Sequence, residues 1–384
     1  VRRLVALDLP AGTAFLEALE TCFDEGDAVL PVDQRLPKAA RLALFEAMRP
    51  DCVVLPTGEE EHLERAVPVE EGDAFVVATS GTMGEPKGVV LTHNAVKASA
   101  RASSARLGID PASDRWLCCL PVSHVGGLSV ITRALETKTP LEVLPRFDPI
   151  EVMRIARAHE VTRISLVRAA LLGLKGDDAA FFRTVLLGGS APPKERAPNV
   201  VTTYGMTETG SGVVYDGVVL EGVEVRIAND NEIFLRAPML LRAYRNGMDP
   251  KDESGWFGTK DAGAIGPDGN LIVFGHMGEL IITGGEHVWP SAVEGVLGEH
   301  ALIREVAVVG APDEKWGERV VAFVVPARRD APPALEELRA LVGDALGGFA
   351  APRELIVLEE LPKTTSGKLR RKALRAMSTP SSTS

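Results

Sequence analysis

The sequence predicts an α/β fold: a large N-terminal domain of mostly parallel sheets with helices plus a small β subdomain, followed by a small α+β C-terminal domain. Three observations lead there. Short apolar runs alternate with stretches of helical periodicity over the first half of the chain, the pattern of strand–helix crossovers in parallel sheets. From Asp216 to Phe274 the texture changes to short strands separated by turn clusters such as Asn229-Asp230-Asn231 and Pro267-Asp268-Gly269-Asn270. Beyond the polar, glycine-bearing stretch Gly275–Glu279 a separate strand-and-helix pattern begins, and 384 residues are too many for one core.

Taken in order, residues 1–75 read as α/β support. A helix is expected from Ala14 to Glu25, where Phe15, Leu16, Leu19, Cys22 and Phe23 recur at helical spacing. A strand at Ala28–Val32, a helix at Lys38–Met48 stopped by Pro50, and a strand from Cys52 follow. Val76-Val77-Ala78 runs into Thr79-Ser80-Gly81-Thr82-Met83-Gly84-Glu85-Pro86-Lys87-Gly88, and an apolar run leaves it, so this loop hangs between two strands as in a hairpin. Helices are expected at 93–107, 125–135 and 149–159, the last with a proline in its first turn. Strands are expected at 114–121, 141–144, 164–167, 184–187 and 200–204. After the β subdomain come strands at 280–283, 305–309, 320–325 and 354–358 and helices at 290–299 and 333–346. The Ser/Thr/Pro tail is expected to be disordered. The expected division is 1–274, a hinge at 275–279, a C-terminal domain at 280–376 and a tail at 377–384.

Composition excludes several function classes. Hydrophobic residues at 45% and charged residues at 25% are ordinary for a globular protein. A formal net charge of −11 argues against nucleic acid as a general partner. No apolar stretch is long enough to span a bilayer, and Asp8 and Pro10 cut short the N-terminal apolar run, so neither a membrane span nor a signal peptide is expected. Cys22, Cys52, Cys118 and Cys119 have no metal-like spacing and are expected to sit reduced in or near cores, as in a cytoplasmic protein.

Five segments carry chemistry. The loop 79–88 crowds glycines, hydroxyls and a lysine together and can bare backbone N–H groups to an anion, although it does not match the Gly-x4-Gly-Lys-Ser/Thr phosphate loop. Gly188-Gly189-Ser190 is a glycine turn at a strand end, where open α/β sheets bind ligands. In Tyr204-Gly205-Met206-Thr207-Glu208-Thr209 the tyrosine can stack on a flat ring and Glu208 can ligate Mg²⁺. Asp261, in Gly255-Trp256-Phe257-Gly258-Thr259-Lys260-Asp261, can accept two ribose hydroxyls. Lys368 stands on a Ser-Gly turn in Leu361–Leu369. Singly, each also fits a plain turn, a solvated glutamate or, for Lys368, a basic surface run.

Together and in this order the five segments resemble the adenylate-forming superfamily of acyl-CoA synthetases, adenylation domains and luciferases, over nearly the whole chain. The resemblance implies an ATP-dependent acid–thiol ligase with ATP, Mg²⁺ and coenzyme A, and a C-terminal domain that is mobile. Thr79, Ser80, Gly81, Thr82, Gly84 and Lys87 would hold the ATP phosphates. Gly188, Gly189 and Ser190 would lie along the adenine, Tyr204 would stack on it, and Gly205 and Met206 would also belong to the nucleotide site. Thr207 would contact the α-phosphate, Glu208 would ligate Mg²⁺, Asp261 would accept the ribose hydroxyls and Lys368 would be the catalytic lysine of adenylation. His124, in Pro121-Val122-Ser123-His124-Val125-Gly126-Gly127, would gate the acyl pocket from the thiol channel, and Gly284-Gly285-Glu286 would line that channel.

The departures are Met83 for a hydroxyl residue, Lys260 for a glycine, His276 for a nucleotide-contacting arginine, and Gly278 for the hinge aspartate. Glycine there would loosen the hinge.

The short segment ahead of the glycine loop, together with Ser165-Leu166-Val167 and Tyr204 to Val218, resembles o-succinylbenzoate–CoA ligases of menaquinone biosynthesis. A second carboxylate on the substrate would need a basic partner; Arg168 is the candidate, with His124 and Gly205 bordering the acyl pocket. Ligation of another aromatic or aliphatic acid, or nucleotide binding without turnover, are the alternatives. The partners expected are a small carboxylic acid, ATP and CoA; homodimer formation is left open.

Overall fold

The computed structural model describes residues 2–80, 86–189, 196–363 and 369–378, apart from the Ser80 side chain. Apolar runs and helical stretches alternate as expected. Strand β1 (Leu4–Leu7) leads to α1 (Thr13–Glu25), β2 (Ala28–Pro31), α2 (Lys38–Met48), β3 (Cys52–Val54) and the exposed β4 (Glu60–His62). The hairpin strands β5 (Asp73–Ser80) and β6 (Pro86–Thr92) are antiparallel in the register Thr79↔Lys87. Next come α3 (His93–Leu107), β7 (Trp116–Cys118), α4 (Val125–Thr137), β8 (Leu141–Val143), α5 (Pro149–Ala158), β9 (Arg163–Val167), α6 (Arg168–Gly173), β10 (Thr184–Gly188) and β11 (Val200–Gly205). Local chemistry sets several ends. Thr92 caps α3 by accepting from the Ala95 N–H at 3.1 Å, and Asp148 accepts from the Ile150 and Glu151 N–H groups ahead of Pro149 in α5.

The short strands β12 (Gly212–Tyr215), β13 (Val218–Val219), β14 (Glu224–Ile227), β15 (Glu232–Arg236), β16 (Ala243–Tyr244), β17 (Phe257–Ile265) and β18 (Leu271–His276) follow. The C-terminal part contains β19 (Ile281–Thr283), β20 (Glu286–Val288), α7 (Pro290–Leu297), β21 (Ile303–Asp313), β22 (Gly317–Pro326), α8 (Leu335–Leu346), β23 (Glu354–Val357) and α9 (Arg371–Ser378).

Two seven-stranded sheets dominate the first compact unit, which takes the chain up to Val225 and then Phe234–Gly258. One has the order β16-β6-β5-β2-β1-β3-β4, the other β13-β12-β11-β10-β9-β7-β8. In the second sheet β11, β10, β9, β7 and β8 are mutually parallel, so their carboxyl ends share one edge. One core cluster, with Phe15, Phe75, Leu128, Trp116 and Tyr215, draws on both sheets. The cysteines are free and buried, and burial pushes the Cys22, Cys52 and Cys118 thiols up to about 12, which keeps them protonated and inert.

A buried ionic knot fixes the parallel strands at their amino ends. Asp114, ahead of β7, accepts from Arg163 Nε at 3.0 Å and Nη2 at 2.9 Å at the start of β9, and from Arg183 Nη1 at 2.8 Å ahead of β10. Its side chain is fully inaccessible, and that of Arg163 nearly so.

The second unit takes Arg226–Ile233 and the chain from Thr259. Its sheet has the order β20-β19-β22-β21, with β23 parallel to β22. Helices α7 and α8 cover one cluster (Val293, Leu297, Leu338, Val342); Leu361 and, from α9, Leu374 belong to the other. Within the expected hinge 275–279, Gly275 and His276 close β18, and Met277–Glu279 form one 3₁₀ turn. The compact units part near residue 258, and β17 pairs with β18 along Asp261–Ile265 within the second. The basic run near the C-terminus is helical to Ser378, so the tail cannot begin at 377; Arg371 within it is paired with Glu279 and Glu294 rather than solvated. Among the described residues no helix is long and apolar enough to cross a membrane.

Removing Asp114 should strand the Arg163 guanidinium in the core. Asp114→Ala is expected to lower the free energy of unfolding by about 3–5 kcal/mol, read from urea titration. A loss below about 1 kcal/mol, the level of exposed pairs, would show that the knot is not structural.

Candidate active site

The shared carboxyl edge of β7, β9, β10 and β11 gathers most of the expected site residues of the first unit, as open α/β sheets do with ligand-binding turns. His124 follows β7 and stands at the N-terminus of α4. Arg168 follows β9, half-buried, and the register Gly188↔Val167 sets it beside Gly188-Gly189 at the end of β10. Tyr204 and Gly205 end β11, and Met206, Thr207 and Glu208 form the next turn.

Backbone demands explain the glycines. Gly189 has φ +82°, a left-handed conformation that glycine adopts freely. A Cβ on Gly205 would overlap the Ser211 carbonyl, and one on Gly127 would overlap the carbonyls of Leu120 and Pro121, against which the first turn of α4 packs. The turn after β11 is knotted by buried Thr209. Its Oγ1 accepts from the Met206 N–H at 2.9 Å and lies 2.6 Å from the Ser211 carbonyl, to which it can donate. Thr207 and Glu208 are thereby held outward on a fixed loop.

The other sheet brings the glycine hairpin. Thr79 Oγ1 donates to the Lys87 carbonyl at 3.4 Å, tying the two flanks together. Gly81, Thr82, Gly84 and the departure Met83 lie outside the described residues, as do Ser190 and Lys368 and the Ser80 side chain. Strand β16 pairs with β6 (Ala243↔Val90, Tyr244↔Val89), and the Leu241 N–H donates to the Glu208 carbonyl at 2.8 Å. The Tyr244 hydroxyl donates to Glu208 Oε1 at 3.0 Å, and Lys87 Nζ lies 5.4 Å from the Tyr244 ring centre. Hairpin lysine, tyrosine and acid turn are thus one cluster. Among the described residues no group of three or more acidic, histidine or cysteine side chains forms a metal cage. A lone carboxylate fits Mg²⁺ of the kind held jointly by one acid and substrate phosphates.

Sequence reasoning missed Tyr244, and it missed what surrounds His124. Asp33, buried after β2, accepts from Arg35 Nε at 2.8 Å and Nη2 at 2.7 Å. His124 Nε2 lies 3.5 Å from Asp33 Oδ2 and 3.4 Å from Arg35 Nη2. Gln34, between them, turns the other way and donates to Asp8 Oδ1 at 2.6 Å, while Arg41 Nη1 donates to Asp8 Oδ2. Burial pushes the Asp33 carboxyl up, but hydrogen bonds from His124 and Arg35 outweigh it and hold the group well below its ordinary 3.8. The only sequence signal was a charged Asp-Gln-Arg triplet ending an apolar strand, which fits any surface turn.

In the second unit, Asp261 on β17 is in register with His276 on β18, so the two expected nucleotide contacts are cross-strand neighbours. His276 Nδ1 accepts from the Gly278 N–H at 3.1 Å and caps the following turn, a use an arginine could not make. Lys260 sits at φ +62°, where glycine is favoured, and Glu232 Oε1 accepts from its N–H at 2.9 Å. Gly284 and Gly285, at φ +62° and +86°, form the two-residue turn between β19 and β20 that demands positive φ at both positions.

The comparisons with known proteins agree with this geometry. Residues 2–237 match the family model described as AMP-binding enzyme, and residues 292–368 match that of the AMP-binding enzyme C-terminal domain. A Mycobacterium tuberculosis protein described as "Probable 2-succinylbenzoate–CoA ligase" is 40% identical, covering 96% of this chain and 97% of the relative. A Listeria monocytogenes 2-succinylbenzoate–CoA ligase is 35% identical over 79% of this chain and 69% of its own. The Bacillus subtilis o-succinylbenzoate CoA synthetase, solved with the acyl-adenylate intermediate OSB-AMP, matches with a TM-score of 0.84 at 28% identity, covering 98% of this chain and 89% of that one. The same enzyme solved with ATP and magnesium ion matches with a TM-score of 0.83, covering 97% and 90%.

Because its native partners hold the Asp33 carboxyl below its ordinary value of 3.8, its contribution to stability is fully present above pH 3.8 and is lost as pH falls below it. Asp33→Asn is expected to lower stability at neutral pH by about 1–2 kcal/mol and to flatten the acid limb of a stability–pH profile. An unchanged acid limb would show that the group is not held down in the native state.

Proposed function

The chain belongs to the AMP-binding enzyme family, and from that premise we propose that it is an ATP-dependent acid–CoA ligase whose acid is 2-succinylbenzoate. The observation that carries the reading is the joined cluster of hairpin lysine, Tyr244 and Glu208 turn, on a chain 40% identical along nearly its whole length to a protein described as such a ligase.

The chemistry runs in two steps. A carboxylate oxygen attacks the α-phosphorus of ATP, the α–β bridging bond breaks, and pyrophosphate leaves. The CoA thiol, losing its proton, then attacks the acyl carbonyl, and AMP leaves with the electron pair. The first step brings two anions together, so the site must supply positive charge and oriented donors. Lys87 and the N–H groups of the hairpin 79–88 would hold the departing phosphates. Glu208 would hold Mg²⁺, which neutralises phosphate charge when bound. Tyr204 offers an aromatic face for adenine, and Gly188, Gly189, Gly205 and Met206 allow a close approach of backbone to the nucleotide. Asp261 would accept the ribose hydroxyls, with His276 opposite it in register. Lys368 would meet charge at the reacting phosphate, and Thr207 would donate to the same group. The second carboxylate of the acid needs a cation, and Arg168 at the carboxyl edge is the candidate. His124 would stand between acyl group and thiol, and Gly284-Gly285 would line the thiol's path.

Purified protein with ATP, Mg²⁺, CoA and 2-succinylbenzoate should release AMP and pyrophosphate in an acid-dependent manner. AMP release with another aromatic or aliphatic acid but not with this one would overturn the substrate; none with any acid would overturn the ligase reading. Lys368→Ala should slow acid-dependent pyrophosphate release by about 10²–10³-fold with ATP binding retained.

A further inference from the structure

Two opposite charges flank one ring. Tyr244 donates its hydroxyl to Glu208 Oε1 at 3.0 Å, and the Lys87 ammonium lies 5.4 Å from the centre of the same ring. Lys87 and Glu208 do not form an ion pair with each other. A direct pair would neutralise both groups, leaving neither for a phosphate or a cation. The one ring takes both contacts at once, its hydroxyl on one carboxylate oxygen and its face toward the ammonium.

The strand bearing Tyr244 is clamped on both sides. Arg242 donates to fully buried Asp73 through Nε at 2.8 Å and Nη2 at 2.9 Å, and to Glu70 through Nη1 at 2.6 Å. Arg245 donates to the Met48 carbonyl at 2.9 Å and the Pro68 carbonyl at 3.0 Å, and its own N–H to the Gly88 carbonyl at 2.7 Å. Lys251 Nζ donates to the Leu241 and Arg242 carbonyls at 2.8 and 2.9 Å. The Asn246-Gly247 turn returns the chain so that the Tyr244 N–H reaches the Met248 carbonyl at 2.9 Å. A strand of two residues thus carries far more anchoring than its length requires, and Tyr244 is the side chain this anchoring holds against Glu208.

We propose that Tyr244 is a positioning residue that holds Glu208 oriented for Mg²⁺ and Lys87 raised for the ATP phosphates, keeping the two charges apart until the nucleotide arrives. The proposal rests on the reading of Glu208 as the carboxylate that meets Mg²⁺. Removing the hydroxyl should affect the acid alone, because phenylalanine keeps the ring face beneath Lys87.

The test uses the full chain and three variants: Tyr244→Phe, Tyr244→Leu and Glu208→Gln. The readouts are the Mg²⁺ concentration for half-maximal pyrophosphate release, calorimetric binding of ATP with Mg²⁺ and with EDTA, and the melting temperature as a check on folding. Tyr244→Phe is expected to raise the half-maximal Mg²⁺ about tenfold, with metal-free ATP binding and the KM for the acid unchanged. Tyr244→Leu should do the same and also weaken metal-free ATP binding several-fold, since Lys87 loses its support. An unchanged Mg²⁺ requirement in Tyr244→Phe, with a raised one in Glu208→Gln, would overturn the role of Tyr244 alone. An unchanged requirement in Glu208→Gln would overturn the reading of Glu208 and the proposal with it. Equal loss of metal-free ATP binding in Phe and Leu variants would also overturn it, because the ring would then have no separate part.

Discussion

The pairing of Ala243–Tyr244 with Val89–Val90 is the link on which the site depends. It adds a two-residue strand to the edge of one sheet and, through the Leu241 N–H, ties that strand to the turn after the last parallel strand of the other. Without it the glycine hairpin and the acid turn would belong to separate layers. With it, a cation from the first and a carboxylate from the second share one tyrosine. Nucleotide phosphates need this mixture of signs. Positive charge and N–H groups attract the anion, and an acid recruits a divalent ion that screens what the protein's own cations do not.

Much of this was legible in the sequence, for identifiable reasons. The glycine hairpin announced itself because hydroxyls and glycines are dense between two apolar runs, a pattern with few bland explanations once it recurs with other segments. The parallel sheet was legible from alternation, and its carboxyl edge from glycines at strand ends. Gly127 and Gly205 read as motif residues and proved to be packing requirements as well: each sits where a Cβ would strike a neighbouring carbonyl.

What was not legible is long-range and polar. Arg35 and His124 meet across 89 positions, and Tyr244 and Glu208 across 36. Neither pairing leaves a periodic trace, since each involves single side chains whose local surroundings are ordinary. Short strands failed for a related reason. Strand β20 has three residues and β16 two, too few for alternation to register. Helix α9 was obscured by its charge: a basic run suggests solvent, yet Arg371 is drawn inward by Glu279 and Glu294. By composition Gly275–Glu279 looks like a linker, whereas Gly275 and His276 are paired as strand.

The departures from the family pattern also gain a physical sense. His276 is shorter than arginine, and its ring nitrogen closes its own turn, while cross-strand register keeps it opposite Asp261. Lys260 stands where glycine is easier, and its N–H is met by Glu232. The central claim is that these parts make an acyl-adenylate and pass its acyl group to a thiol. A single-turnover mixture of protein, ATP, Mg²⁺ and 2-succinylbenzoate without CoA, quenched and analysed by mass spectrometry, tests it most directly. The account predicts an acyl-adenylate in amounts matching the protein, converted to thioester when CoA is added. Binding of ATP with no acyl-adenylate formed would contradict it.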